Sequence, residues 1–193
     1  NLTVYYTHEQ LRTRRFCGPD FFLVRDVDPR PRTSWVVWNE DGRYPDLIIE
    51  LLSDSTATVD RTEKKRLYQN IFHTNEYFWF SPITGEFAGF RLTSRWYEEI
   101  PEDERGWRWS EMLGLYLGVV DGRLRYFEAD GRRVLGPEES ALREMAQAAQ
   151  EGRGPALEQA LSLLGRLLGA AEAGARWGSV LGIRVAHALA CQQ

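Results

Sequence analysis

Cysteine and histidine are scarce in this sequence. Its 193 residues include two cysteines, Cys17 and Cys191, and three histidines, His8, His73 and His187. Two cysteines so far apart form no disulfide framework, which indicates reduced thiols in a cytoplasmic protein. Scattered histidines without paired cysteines argue against a zinc site. Any bound metal is therefore expected to be a hard cation held by carboxylates.

Long apolar runs and an excess of positive charge are also lacking. No run approaches the roughly 20 residues that a membrane span needs, so we expect no membrane partner. The net charge is −4, which excludes a general polyanion binder but leaves room for local basic patches that contact phosphates. Each such patch alone is more typical of a solvated surface. The candidate patches are Arg12, Arg14 and Arg15; Arg30 and Arg32; and Lys64, Lys65 and Arg66.

The composition changes near residue 136. Residues 1–136 are rich in aromatic and β-branched side chains, whereas residues 137–193 are rich in Ala, Leu, Gly and Gln. This change predicts an α/β domain over 1–136 and a helical C-terminal tail over 137–193. Leucines recur at helical spacing in the tail and would suit a partner helix in a dimer, although packing on the chain's own core is the commoner use of such a stripe. These leucines are Leu157, Leu161, Leu164 and Leu168.

Hydrophobic patterns predict the secondary structure of the domain. Strands are expected at Leu2–Tyr6, Phe21–Val27, Ser34–Trp38, Asp46–Leu52, Glu76–Phe80, Glu86–Leu92, Arg95–Glu98, Leu115–Val120 and Leu124–Glu128. Helices are expected at Asp60–Phe72, Glu138–Gln150 and Ala156–Ala171. The first helix is expected to bury a stripe containing Leu67, Tyr68 and Ile71, and Asp121-Gly122 predicts a hairpin turn.

A glutamate interrupts the most apolar strand. Residues 45–53 read PDLIIELLS, a run typical of a central strand covered on both faces, and Glu50 lies within it. A carboxylate at that depth is costly unless it is paired or bound to a metal. From the residues alone, a structural ion pair with an arginine and a functional site are equally good interpretations of Glu50.

The following helix favours the functional interpretation. Lys64 precedes Leu67 and Tyr68 by three and four residues, which predicts that it shares the buried stripe. A lysine there needs a nearby anion, and Glu50 lies on the strand just before this helix. The common alternative is a lysine at the edge of the core that extends to solvent. Lys65 is turned about 100° away and is expected to face solvent.

Asp20 is the third candidate. It follows Pro19 and opens the strand beginning at Phe21, so its carboxylate is expected at a strand end. A turn aspartate is the ordinary use of Asp after Pro. The order of Asp20, Glu50 and Lys64 along the chain is more specific than any one of them.

The segments that contain these residues resemble those of a known family. Residues 18–24 (GPDFFLV), 35–38 (WVVW), 45–53, 60–68 (DRTEKKRLY) and 76–82 (EYFWFSP) are similar, in order and spacing, to the Uma-two family of restriction-endonuclease-like proteins. Residues 88–92 and 109–118 extend the resemblance. The family belongs to the PD-(D/E)XK nuclease superfamily, so the resemblance implies an α/β fold with a restriction-endonuclease-like mixed β-sheet flanked by helices.

The resemblance also implies a catalytic site. Asp20 and Glu50 would hold Mg²⁺ or Mn²⁺, and Leu51 would add its backbone carbonyl as a metal ligand. In the superfamily a lysine usually lies two residues after the acid, and Leu52 occupies that position here. In the Uma-two family this lysine lies on the following helix instead, and Lys64 fills that place. The implied function is metal-dependent hydrolysis of DNA phosphodiester bonds. The family also has a helix with a further glutamate before its first strand, and this sequence opens after that point.

A second hypothesis belongs to another class of protein. A catalytically degenerate module that binds DNA or another protein would retain the nuclease fold without cleaving. Metal binding at Asp20 and Glu50 separates the two hypotheses, since a pure binder needs no such site. Cleavage of both DNA strands would favour a homodimer. Contacts with the DNA backbone are expected from the loop Asp28–Arg32 and from the arginines near Arg12.

Overall fold

The computed structural model describes residues 2–13 and 17–150. The chain divides into two units, Asn1–Gly122 and Arg123–Gln193. The elements of the first unit are β1 (Thr3–Tyr5), α1 (His8–Thr13), β2 (Phe21–Leu23), β3 (Ser34–Val36), β4 (Leu47–Leu51), α2 (residues 57–72), β5 (Glu76–Phe80), β6 (Phe87–Thr93), β7 (Trp96–Glu99), β8 (Arg108–Ser110) and β9 (Leu115–Val120). The described elements of the second unit are β10 (Arg123–Phe127), β11 (Arg133–Val134) and α3 (Pro137–Gln150). None of the helices in the described ranges combines the length and the apolar character needed to span a membrane.

A mixed five-stranded sheet forms the core of the first unit. Its strand order is β2-β4-β5-β6-β7, with β4 and β5 parallel and the other neighbours antiparallel. Every residue of β4 (LIIEL) and β5 (EYFWF) is buried. Apolar side chains on both faces place these strands at the centre, because such strands need cover on both sides. The restriction-endonuclease-like α/β fold, a mixed sheet flanked by helices, is thereby confirmed.

Helix α2 connects the parallel strands β4 and β5, which require a crossover connection. It contains two π-helical segments, Asp60–Lys64 and Tyr68–Phe72. A π turn includes an additional residue, so the buried face follows residues four apart rather than the mixed three- and four-residue spacing of an α-helix. Tyr68 and Phe72 are buried against the sheet, whereas Ile71 is 49% exposed. The prediction that Ile71 belongs to the buried stripe is therefore wrong.

Several predicted boundaries differ from those in the structure. Strand β2 ends at Leu23 rather than Val27, since Asp26 has a φ of 54° that cannot continue a strand. Strand β3 ends at Val36 because Val37–Asn39 forms a single 3₁₀ turn. The strands predicted at 46–52, 76–80 and 115–120 are confirmed to within one residue at each end.

The N-terminal residues build a small parallel sheet and a helix that the hydrophobic pattern does not predict. Strands β1 and β3 pair Val4 with Trp35, and Val4 also bridges to Cys17. Helix α1 follows β1 after two residues. Gln10 Oε1 accepts the backbone N–H groups of residues 6 and 7, at 2.7 and 3.0 Å, and so stabilises the start of this helix. Six residues carry too little periodicity to reveal such a helix.

On the face of the sheet opposite Glu50, a buried acid and a glycine make close contacts. Glu76 is fully buried on β5 and pairs with Arg91 at 3.0 Å. It also accepts the hydroxyl of Ser110 and the N–H of Glu111, which ties the end of β8 to the sheet. Gly89 on β6 leaves no room for a Cβ atom because the ring of Phe78 lies against it.

The second unit is described over residues 123–150. Strands β10 and β11 are antiparallel, and Arg125 on β10 pairs with Glu139 on α3 at 3.0 Å. Helix α3 confirms the helix predicted at Glu138–Gln150. Ahead of β10, Asp121 and Gly122 have φ values of 53° and 66°, which a two-residue hairpin turn requires. The predicted helix at 156–171 and its leucine stripe lie outside the described residues, and so do Arg14, Arg15, His187 and Cys191.

Candidate active site

Glu50 is the fourth residue of β4, and its side chain is 1% exposed. Burial raises the pKa of Glu50 to about 7. The neighbouring carboxylates of Asp20 and Asp60 act in the same direction, while Lys64 and Tyr68 oppose it. The charged partner of Glu50 is Lys64, whereas the interpretation of Glu50 as a structural ion pair expected an arginine. A buried carboxylate with so perturbed a pKa and specific charged partners marks a candidate functional site.

Asp20 lies one residue before β2 and beside Glu50. The register pairs Phe21 with Ile49, so the next position along each strand aligns Asp20 with Glu50. Asp20 Oδ2 accepts the N–H of Leu51 at 2.8 Å, and the N–H of Asp20 donates to Glu50 Oε2 at 3.4 Å. The carboxylate thus satisfies a β4 amide at the point where strand pairing with β2 ends. Asp20 lies just before the start of a strand, as expected, and this position places it beside Glu50.

Lys64 reaches the same carboxylate from helix α2. Its Nζ lies 3.1 Å from Glu50 Oε1 and 2.8 Å from Asp60 Oδ1. The side chain is 24% exposed, so the ammonium contacts the buried acids while part of the side chain stays open to solvent. Burial by itself lowers the pKa of Lys64, but Glu50 and Asp60 outweigh burial and raise this pKa to about 12. Lys64 is therefore protonated at neutral pH.

Two residues that the sequence patterns do not single out complete these contacts. Tyr68, which the hydrophobic pattern assigns to the core, donates its hydroxyl to Glu50 Oε1 at 2.7 Å and contacts Cys17 Sγ at 3.4 Å. Burial raises the pKa of the Cys17 thiol to about 11, so Cys17 is a poor nucleophile. Asp60 is the other residue missed. The spacing of Asp60, Lys64 and Tyr68, four residues apart, is the signal that marks this face of the helix.

Lys65 does not face solvent, contrary to the prediction. Its Nζ lies 3.2 Å from the ring centroid of Phe90 and 5.4 Å from that of Trp79, which are cation–π contacts. Burial lowers the pKa of Lys65. A lysine chain is long enough to turn back from the side of the helix onto these rings, which the rotation per residue does not anticipate.

The chemistry of this set of side chains suits a hard divalent cation. The carboxylates of Asp20, Glu50 and Asp60 accompany a single ammonium, that of Lys64; burial raises the pKa of Glu50, and Asp20 and Asp60 add to this effect. Mg²⁺ prefers oxygen ligands and retains several waters, so two carboxylates are enough from the protein. Across the residues that the structure describes, no three His, Cys, Asp or Glu side chains form a metal-binding group. A cation bound by the described residues would therefore take fewer than three such side chains as ligands.

The arginines expected to contact DNA are partly engaged with acids. Arg30 lies 3.1 Å from Glu40, and Arg32 lies 2.8 Å from Glu40 and 2.5 Å from Asp28. The Arg32 guanidinium also lies 4.9 Å from the ring centroid of Trp35. These ion pairs reduce the positive charge that this loop offers to a phosphate. Arg12 is exposed on α1.

Comparisons with known proteins identify the family. A family model described as "Uma2: Putative restriction endonuclease" matches residues 1–123, which is more than half of the chain. This stretch includes Asp20, Glu50 and Lys64. No curated protein matches the chain. The chain therefore belongs to the Uma2 family, the Uma-two family that its motifs resemble.

Proposed function

We propose that this protein is a metal-dependent DNA endonuclease that hydrolyses phosphodiester bonds. The observation that carries the proposal is the contact of one buried carboxylate, Glu50, with both Asp20 and Lys64. A structural ion pair needs one acid and one base. The additional carboxylates and the high pKa of Glu50 are better explained by a site that receives a cation. Membership of a family described as a restriction endonuclease supports DNA as the substrate.

Asp20 and Glu50 are the proposed ligands of Mg²⁺ or Mn²⁺, and the backbone carbonyl of Leu51 is a proposed third. Such an ion, when bound, neutralises the scissile phosphate and lowers the pKa of a coordinated water. The Leu51 N–H holds the Asp20 carboxylate, and the Tyr68 hydroxyl holds Glu50. Both ligands are thus oriented before any cation arrives, which favours binding.

Lys64 is the proposed stabiliser of the transition state. Because its pKa is raised to about 12, the Nζ stays protonated and can donate hydrogen bonds to a phosphate oxygen that gains negative charge. Its partial exposure would let a phosphate approach the ammonium. For cleavage of both strands we propose a homodimer with two such sites, which sedimentation of the protein–DNA complex tests.

The degenerate binding module is the second candidate, and one observation favours it. Glu50 is 1% exposed, so a hydrated cation reaches it only if the neighbouring segments move. A module of this kind would bind DNA through backbone contacts and leave it intact.

Nicking of supercoiled plasmid separates the two functions. The wild-type protein is compared with Lys64→Met and Lys65→Met in Mg²⁺, Mn²⁺ and EDTA, after circular dichroism has shown that each is folded. We expect nicking only with metal, a loss in Lys64→Met, and near wild-type rates in the matched control Lys65→Met. Cleavage in EDTA, or equal loss in both variants, would count against the proposed roles. DNA binding without any nicking would favour the degenerate module.

A further inference from the structure

Asp60 forms a second ion pair with Lys64, beside the one that Lys64 makes with Glu50. Its side chain is 1% exposed, and its Oδ1 lies 2.8 Å from Lys64 Nζ. Apart from that ammonium, no donor among the described residues reaches Asp60 Oδ1. A buried carboxylate is costly without a compensating group. Lys64 is therefore the group that compensates the charge of Asp60.

The backbone of Asp60 is tied on both sides. Its N–H donates to the carbonyl of Thr56 at 2.9 Å, and its own carbonyl accepts the hydroxyl of Tyr77, on β5, at 2.9 Å. Asp60 begins the π-helical segment that ends at Lys64, so the two side chains lie on one face of α2. The backbone of Asp60 is thus attached to the sheet, which fixes the point from which its carboxylate reaches Lys64.

The choice of lysine at this position is itself informative. Lys64 and Lys65 are the only lysines in the sequence. Its 24 Lys and Arg residues therefore include 22 arginines. A lysine ammonium is a compact point charge on a flexible chain, so it reaches a defined place only where its surroundings hold it. With Glu50 as its sole partner, the ammonium would remain on the oxygen of a proposed metal ligand. A second carboxylate shares the ammonium and keeps it in place when Glu50 binds a cation.

We propose that Asp60 is a positioning residue that holds the Lys64 ammonium beside the cleavage site. The inference rests on the proposed nuclease function, but the placement of Lys64 can be measured separately from activity. Glu63 offers a matched control, because it is an exposed carboxylate on the same turn of the helix.

Two measurements test the proposal. Protein labelled with ¹⁵N at lysine gives two Nζ signals, and Lys65→Arg assigns them. We expect a slowly exchanging Lys64 ammonium in the wild type and in Glu63→Gln, and rapid proton exchange in Asp60→Asn. In plasmid nicking, Asp60→Asn should lower kcat by about 10- to 100-fold, as loss of an outer partner does in other metal sites, with KM for DNA nearly unchanged.

Each outcome decides the proposal. A Lys64 signal that is the same in Asp60→Asn would overturn it, and so would altered exchange without a loss of kcat. If Asp60→Asn does not fold, the smaller neutral variant Asp60→Ser is tested by the same two readouts. Absence of nicking by the wild-type protein would count against the nuclease function, while the Lys64 signal would still decide whether Asp60 holds the ammonium.

Discussion

Replacing Glu50 by glutamine is expected to stabilise the protein above neutral pH when divalent metal is absent. The pKa of Glu50 is about 7 in the folded protein and 4.5 for an unperturbed side chain. Between these values the folded protein holds a proton that the unfolded chain has released. The stability of the wild type therefore falls as the pH rises from 4.5, and the loss is complete above pH 7.

The size of the effect follows from the same two values. The rise in the pKa of Glu50 from 4.5 to about 7 corresponds to a loss of about 3 kcal/mol in the free energy of unfolding once Glu50 is ionised. Glutamine has the same shape, never ionises, and keeps an acceptor oxygen for Tyr68 and Lys64; its NH2 group replaces Glu50 Oε2, so only the long 3.4 Å contact with the N–H of Asp20 is given up. Glu50→Gln should therefore exceed the wild type by about 3 kcal/mol at pH 8 and by less than about 1 kcal/mol at pH 5.

Urea unfolding followed by tryptophan fluorescence, in EDTA at both pH values, measures this difference. Glu63→Gln is the control, since it removes a charge of the same sign from an exposed position. Addition of Mg²⁺ should stabilise the wild type at pH 8 and leave Glu50→Gln unchanged, because a ligand stabilises only the state that binds it. A Glu50→Gln variant less stable than the wild type at pH 8, or a wild-type stability independent of pH, would refute the reasoning.

Three further substitutions test individual contacts. Tyr68→Phe removes a donor to a buried carboxylate and should lower the free energy of urea unfolding by about 1–3 kcal/mol; no loss would contradict the hydrogen bond. Arg91→Ala leaves the buried Glu76 without its cation and should cost about 3–5 kcal/mol in the same assay, whereas a cost below about 1 kcal/mol would show the pair to be dispensable. Gly89→Ala presses a methyl group against Phe78 and should cost about 1–3 kcal/mol in thermal unfolding, unless the ring can move aside.

The central strand and the order of the site residues could be predicted from the sequence. The run around Glu50 is too apolar for an edge strand, and an acid within it must have a partner. Lys64 lies on the helix that directly follows this strand. Because this helix crosses over the sheet to the next parallel strand, Lys64 can be expected near Glu50. Asp20 depends more on the family resemblance, since a turn aspartate gives the same local pattern.

The contacts around these residues could not be predicted, because they depend on the pitch of helix α2. An α-helical repeat places Ile71 on the buried stripe and Lys65 in solvent, whereas in the structure Ile71 is half exposed and Lys65 contacts the Phe90 ring. Asp60, Lys64 and Tyr68 are four residues apart, a spacing that shares one face in an α-helix as well. No residue type in this helix predicts a π turn. In this register Tyr68 and Phe72 are buried against the sheet, and this tertiary packing is not visible in the helix sequence.

The nicking rate of Glu50→Gln at pH 8 in Mg²⁺, beside the wild type, tests the central claim most directly. Loss of activity in most variants of a buried residue is ambiguous, since such substitutions also destabilise the fold. This variant is expected to be at least as stable as the wild type without metal, so a loss of nicking would report on the chemistry alone. We predict a loss of more than about a hundredfold, given that removal of an outer partner of a metal site already costs about 10- to 100-fold. Nicking by Glu50→Gln at the wild-type rate would contradict the assignment of Glu50 as a metal ligand.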